Sequence, residues 1–403
     1  MTSPIQLYKQ AYSGLSRNSW YLCLVMLVNR SGTMVIPFLT LYCTIQLRFS
    51  IREAGYVMAF LGLGSICGAF IGGKITDKLG FYDVQIFALL SGGVFFLLLS
   101  YQHTFLTVSI GAFILACCNE SFRPANSTAI AYYSTAENKT RSYSLNRLAV
   151  NLGWAIGGAL GGLLAAINYH LLFWVDGCTN IVAALALLKL IPRTSIIKPA
   201  KKPEHLAGTA SAYRDKVYLI FIGLVICYAT CFFQLFTMQP LFYKTVWHFN
   251  ERLIGLIMAL NGLLIVFIEM LLIHNLEGRR HILKYIRVGV LLVGVGFVLL
   301  NKLPPVLWSG ILAMLFITFG EMMSMPFMNS FWIVRTNDHN RGEYAALYTM
   351  AWSTAQVLAP TLGSAIIVFG GFNMLWWILG GVCLLSSIGF TLLHRFLMVK
   401  PTS

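Results

Sequence analysis

About twelve apolar blocks, each long enough to cross a bilayer, follow one another along this chain with only short polar connections between them. A spanning helix needs ~20 largely apolar residues, so the blocks use up nearly all of the 403 residues and leave no room for a separate soluble catalytic domain. They fall at about 19–46, 54–76, 83–102, 104–133, 143–167, 170–191, 216–245, 250–274, 281–301, 304–334, 342–369 and 372–396. With 58% hydrophobic and 11% charged residues, the bilayer is the solvent. An outer-membrane barrel is excluded because the apolar residues come in long runs and not in alternating segments of about ten. Disorder and a disulfide-stapled secreted fold fall to the same observation. The predicted fold is an all-α membrane protein of twelve transmembrane helices in two pseudo-symmetric six-helix bundles.

The net charge is +15, and its distribution orients the chain. With the N-terminus inside, only Arg48, Arg52, Lys244, Arg252 and Lys302 of the 29 basic residues fall outside, and Arg30 and Arg123 lie within helices. All the others flank or occupy cytoplasmic segments, which by the positive-inside rule puts both termini in the cytoplasm of a cell with this chain in its plasma (inner) membrane. Spread over separate loops, the basic residues make no stripe for nucleic acid. The first eighteen residues carry Lys9 and Arg17 and enter a helix with no small-residue cleavage pattern, so an uncleaved first span is expected.

Nine cysteines lie inside apolar blocks without a C-x-x-C pair, and the eight histidines show no H-x-x-x-H spacing. No G-x-S-x-G is present. A metal, a cofactor and an enzymatic activity are therefore not expected.

The longest polar stretch, 192–215, holds Arg193, Lys198, Lys201, Lys202 and Arg214, and divides the chain into bundles at 1–191 and 216–403. At an offset of 202 residues Asn138-Lys139 meets Asn340-Arg341, Pro124 meets Pro326, Gly158 meets Pro360 and Gly161 meets Gly363. Both halves start inside, so the repeat is parallel, the arrangement of transporters that rock around a midplane site.

Between helices 2 and 3 stands Gly73-Lys74-Ile75-Thr76-Asp77-Lys78-Leu79-Gly80. This resembles the loop signature of the major facilitator superfamily, with Phe81 and Tyr82 where the family has basic residues. The resemblance implies a gating loop of Gly73, Asp77, Lys78 and Gly80, the glycines allowing a tight turn and Asp77 facing a helix N-terminus. Helix 5 holds Gly153, Gly157, Gly158, Gly161 and Gly162, similar to the glycine motif of the drug:proton antiporters of that superfamily, with Gly158 at the usual proline. Small residues so spaced are packing devices first, as are Gly64, Gly68 and Gly72 in helix 2.

Ionisable groups at mid-membrane cost ~2.5–3.5 kcal/mol each and mark function. Arg30, Glu120, Arg123 and Glu321 lie near the middle of their spans, with Glu120 and Arg123 three apart on one face where they can pair. Glu269 and Asp176 lie nearer the membrane faces, where capping competes with function. Asn29-Arg30, Arg123-Pro124 and Gly320-Glu321 with Pro326 are similar to patches of the proton-coupled oligopeptide transporters, although Asn29 replaces a glutamate. That resemblance implies two cations receiving a carboxylate and Glu321 receiving an amine.

The expected function is proton-coupled transport of a small organic solute. Desolvation favours a protonated carboxyl and a nearby arginine an ionised one, so Glu120 beside Arg123 can load and release a proton. Antiport expelling an amphiphilic drug or metabolite is the first reading. Symport of a zwitterionic or carboxylate-bearing solute such as a short peptide is the second, and a non-transporting scaffold or receptor is remote. The expected partners are the solute, protons and membrane lipids, with a monomeric chain.

Overall fold

The computed structural model describes residues 14–135, 138–193, 211–276, 279–336 and 341–399. Lys9, most of the polar stretch (194–210, with Lys198, Lys201 and Lys202) and Asn340 lie outside the described residues. Among the described residues the secondary structure is all helical. Eleven helices among the described residues are long and apolar enough to cross a membrane: Arg17–Gln46, Ile51–Leu79, Phe81–Leu99, Phe105–Tyr132, Arg141–Ala165, His170–Leu190, Lys216–Thr245, Glu251–Ile273, Ile282–Lys302, Leu307–Val334 and Glu343–Met398. They are called helices 1 to 11 in that order, up to the interruption of the last at Gly371, where φ is 73° and ψ −179°. At 1.5 Å per residue the 56 residues of that last stretch run to about 84 Å, far beyond the ~30 Å hydrocarbon core. The part after Gly371 is therefore helix 12.

Several of these helices are interrupted, and a proline lies at or just after an interruption in each half. Proline lacks the N–H that would bond to the carbonyl four residues back. Pro37 follows the non-helical Gly32-Thr33-Met34 stretch that divides helix 1 into Arg17–Ser31 and Val35–Leu41. Pro124 deprives Glu120 of its backbone partner, and helix 4 divides at Ser121 into Phe105–Glu120 and Phe122–Tyr132. The Ser121 hydroxyl donates to the carbonyls of Cys117 and, across helices, Gly68. Pro240 plays the same part in helix 7, which divides into Lys216–Phe232, Gln234–Thr237 and Gln239–Thr245. Pro326 and Pro360 lie inside helices 10 and 11.

The internal repeat is visible in backbone detail. Helices 1 and 7 end in the same turn, 200 residues apart: the N–H of Phe49 donates to Cys43 O at 2.9 Å and that of Phe249 to Tyr243 O at 2.9 Å. Arg48 (φ 58°) and His248 (φ 55°) share the left-handed conformation that closes it. Ser50 and Asn250 then cap the next helix, Ser50 in a capping box with Glu53 and Asn250 accepting from Leu253 N at 2.9 Å.

The chain forms two compact units, Met1–Phe38 with Phe60–Ala200, and Leu39–Ala59 with Lys201–Ser403. The end of helix 1 and the start of helix 2 thus group with the second unit. In the first unit a core of Leu22, Val25, Phe81, Phe122 and Leu187 joins helices 1, 3, 4 and 6. A Cβ on Gly64, Gly68 or Gly72 would overlap the backbone of Phe113, Cys117 or Ser121, so the helix 2 stripe is a close-packing surface against helix 4. In the second unit Gly289 and Gly320 bring helices 9 and 10 together, and Phe297 stacks on Trp376 with centroids 5.6 Å apart.

Candidate functional site

The first unit gathers its charges around the breaks in helices 1 and 4. Arg30 is the penultimate residue of the first segment of helix 1 and is 9% exposed. It lies within the electrostatic reach of Glu120 and Arg123 on helix 4. Glu120 and Arg123 pair at 3.3 Å across the Ser121 break, their side chains 17% and 67% exposed. Glu120 is thus an interhelical neighbour of Arg30. Arg30 Nε is buried and has no hydrogen-bond partner, so one guanidinium donor stands spare. Arg123 departs from the expectation of a buried mid-helix charge. Placed one residue before Pro124 on a short segment, it is exposed, while Glu120 is largely enclosed.

The helix 5 motif supports this cluster. A Cβ on Gly153 would lie 2.5 Å from Arg30 Cβ, and one on Gly157 3.3 Å from Ser31 O. One on Gly161 would lie 3.2 Å from Met34 Cβ. At a spacing of four residues these three glycines form one face of helix 5 and seat the break of helix 1 beside Arg30. Gly158 and Gly162 are buried in the same helix.

Asp176 on helix 6 makes the break in helix 1 tenable. Fully buried, its carboxylate accepts the N–H groups of Met34 (3.0 Å to each oxygen) and Val35 (2.8 Å), the orphan donors of the restarted helix. Capping is therefore the bond that this residue makes. Asn29 and Asn180 join the same two helices at 2.9 Å.

In the second unit Glu321 on helix 10 accepts the Asn261 side-chain amide of helix 8 at 2.9 Å, and the same amide reaches Thr318. One turn on, the Ser324 and Tyr228 hydroxyls lie 2.6 Å apart. Beside them Tyr228, Phe232, Phe233, Phe236, Trp352 and Tyr348 form a continuous aromatic cluster with centroids 5.6–6.3 Å apart. Glu269 is buried in a π-helical turn of helix 8, Ile265–Glu269, a distortion often found at functional sites.

The expected gating loop is largely helical. Helix 2 continues to Leu79, so Gly73, Asp77 and Lys78 lie on its last turns, and only Gly80, at φ 88°, makes the turn into helix 3. One left-handed glycine is enough to reverse the chain here, and the preceding residues keep their helical bonds. Asp77 is exposed. The carboxylate at the helix 3 N-terminus is instead Asp83, which pairs with Arg193 at 3.2 Å.

Sequence reasoning overlooked the amides. Buried Gln85 and Asn126, with half-buried Asn146, form a chain across helices 3, 4 and 5 with links of 3.2 and 3.1 Å. Gln234 in the helix 7 break donates to Ala359 O at 2.7 Å, beside Pro360. Amides inside apolar spans were the available signal.

The sequence profile of the Major Facilitator Superfamily matches residues 22–359, and the chain belongs to that family. A Na(+), Li(+), K(+)/H(+) antiporter of Planococcus maritimus is 24% identical, with 92% of this chain and 93% of the antiporter covered. The class H tetracycline resistance protein of Pasteurella multocida is 22% identical over 81% of this chain and 83% of its own. Among solved structures, a POT family transporter in complex with a thioalcohol-conjugated peptide superposes with a TM-score of 0.81 at 14% identity, covering 96% of this chain and 98% of that one. The chain is thus an integral multi-pass membrane transporter of small molecules, and its relatives are not enzymes.

Proposed function

We propose that the protein is a proton antiporter that expels an amphiphilic organic solute across the inner membrane, with both termini in the cytoplasm. The observation that carries this reading is the partly enclosed Glu120–Arg123 pair beside buried Arg30. Glu120 pairs with Arg123 at 3.3 Å and lies within the electrostatic reach of Arg30. Protonation of Glu120 would break the ion pair and leave buried Arg30 without its anionic neighbour, so the two protonation states of Glu120 favour different arrangements of helices 1 and 4. That is the coupling a proton-driven cycle needs. The solute end of the reaction falls to the second unit, where Glu321 and the aromatic cluster around Trp352 offer a carboxylate beside π-faces, a surface suited to an aromatic or cationic body. The antiporter and tetracycline resistance relatives agree with this direction.

One observation favours symport of a zwitterionic or carboxylate-bearing solute: the spare Nε of Arg30 is a donor suited to an anionic group. Proteoliposomes holding an internal pH probe separate the two. Outward proton flow on adding aromatic cations outside supports antiport, and inward flow on adding dipeptides or carboxylates selects symport.

A further inference from the structure

Helix 9 in the second unit begins with a concentration of positive charge that no carboxylate of its own helices answers. Its N-cap is His281, whose Nδ1 accepts the N–H of Leu283 at 3.3 Å. The His281 ring lies on the ring of His394 of helix 12, centroids 4.4 Å apart. Burial, followed by the Lys284 ammonium, holds the His281 imidazole below its usual range. Lys284 and Arg287 also act on His394. His394 is 9% exposed, and its Nδ1 is buried with no hydrogen-bond partner. Neither helix 9 nor helix 12 contains an Asp or Glu.

The repeat shows what is missing. Helix 3 starts at Phe81 and helix 9 at Ile282, an offset of 201 residues. At that offset Asp83 corresponds to Lys284, and at the offset of 202 between the starts of helices 6 and 12 (His170 and Phe372) Arg193 corresponds to Arg395. In the first unit the helix N-terminus therefore carries its own anion, Asp83, paired with Arg193 at 3.2 Å. In the second unit the same two places hold a lysine and an arginine, and neither helix 9 nor helix 12 supplies an anion to the partial positive charge of the helix end. Alongside, Leu392, Phe396 and Met398 at the end of helix 12 present exposed apolar side chains. A ligand that answers both features has an anionic head and an apolar tail.

We propose that the start of helix 9, with His281, Lys284, Arg287 and His394, binds the phosphate of an anionic lipid headgroup in the cytoplasmic leaflet. The phosphate takes the place that Asp83 fills in the first unit, and its acyl chains lie along Leu392, Phe396 and Met398. This site is separate from the proton and solute groups, and stands whichever direction transport takes.

The test uses the full chain purified in detergent and titrated with phosphatidylglycerol, phosphatidylcholine or inorganic phosphate, with bound lipid counted by native mass spectrometry. Phosphatidylglycerol is expected to bind preferentially. Removing two basic groups near the membrane surface, each worth about fivefold, in Lys284→Gln/Arg287→Gln should weaken that binding roughly 30-fold. His394→Gln should weaken it as well, while binding of phosphatidylcholine stays unchanged in every variant. If the double variant loses its fold, His394→Gln alone decides. Equal retention of the two lipids, undiminished phosphatidylglycerol binding in folded variants, or displacement of phosphatidylglycerol by inorganic phosphate at equal concentration would each overturn the assignment.

Discussion

Replacing Asp215 provides a graded test of how the second unit is held together. Its Oδ2 accepts Arg335 Nη2 at 2.7 Å, Arg335 Nε at 3.1 Å and the Tyr344 hydroxyl at 2.8 Å, while Oδ1 caps helix 7 through the N–H of Tyr218 at 3.1 Å. One carboxylate thus ties together helix 7, the end of helix 10 and the start of helix 11. Asp215→Ala removes the cap, about 1 kcal/mol, and the charge-assisted bonds. Because the Arg335 side chain is 26% exposed and regains water, those bonds are set near the low end of their range, about 2 kcal/mol. The total of about 3 kcal/mol corresponds to a fall in Tm of roughly 6–12 °C for a domain of this size. Asp215→Asn keeps an oxygen at the capping position and should lose only about two thirds as much. Unfolding of the full chain can be followed with a thiol-reactive dye, since Cys231 and Cys383 are buried in this unit. Burial alone would raise the carboxyl pKa, but the bonds from Arg335, Tyr218 and Tyr344 outweigh it and hold the group below its ordinary value. Its stabilisation is therefore present above about pH 4 and lost below it, so wild type and Asp215→Asn should converge in acid. A Tm change under about 2 °C for Asp215→Ala, or a difference from Asp215→Asn that persists unaltered below pH 4, would refute this account.

Other replacements test the site in the first unit. Gly153→Val places side-chain atoms where Arg30 Cβ already stands and should abolish transport at near-normal membrane insertion, read by flux and by quantity in the membrane fraction. Asp176→Ala leaves two buried backbone N–H groups of helix 1 without acceptors, and at about 1–3 kcal/mol each should lower Tm more than any single replacement on a lipid-facing surface. Asp77→Asn should slow turnover more than it weakens solute binding, and an unchanged rate would make the residue an ordinary exposed aspartate.

The spans could be read from the sequence because each apolar run exceeds the thickness of the hydrocarbon core, and the repeat because prolines and glycines recur at a fixed offset. The pairing of Glu120 with Arg123 followed from their spacing, and the packing role of Gly153, Gly157 and Gly161 from their size. The break in helix 1 was not legible, because it depends on Asp176 reaching it from 141 and 142 residues away. The glycines at 73 and 80 looked alike in sequence, yet only Gly80 has a positive φ, since a single left-handed residue completes the turn. The polar chain of Gln85, Asn126 and Asn146 joins three helices and has no local spacing to reveal it. Asp215 and Arg335 lie 120 residues apart and meet only through the packing of helix ends.

Solute-driven proton movement in proteoliposomes made with wild type, Glu120→Gln and Arg30→Ala is the most direct measurement of the central claim. The account predicts outward proton flow in wild type on adding an aromatic cation outside. It predicts no proton flow with Glu120→Gln, which removes the titrating group but keeps its shape. Arg30→Ala is expected to lose coupling as well. Proton flow of wild-type size in Glu120→Gln would contradict the account, because the proton would then travel on another group.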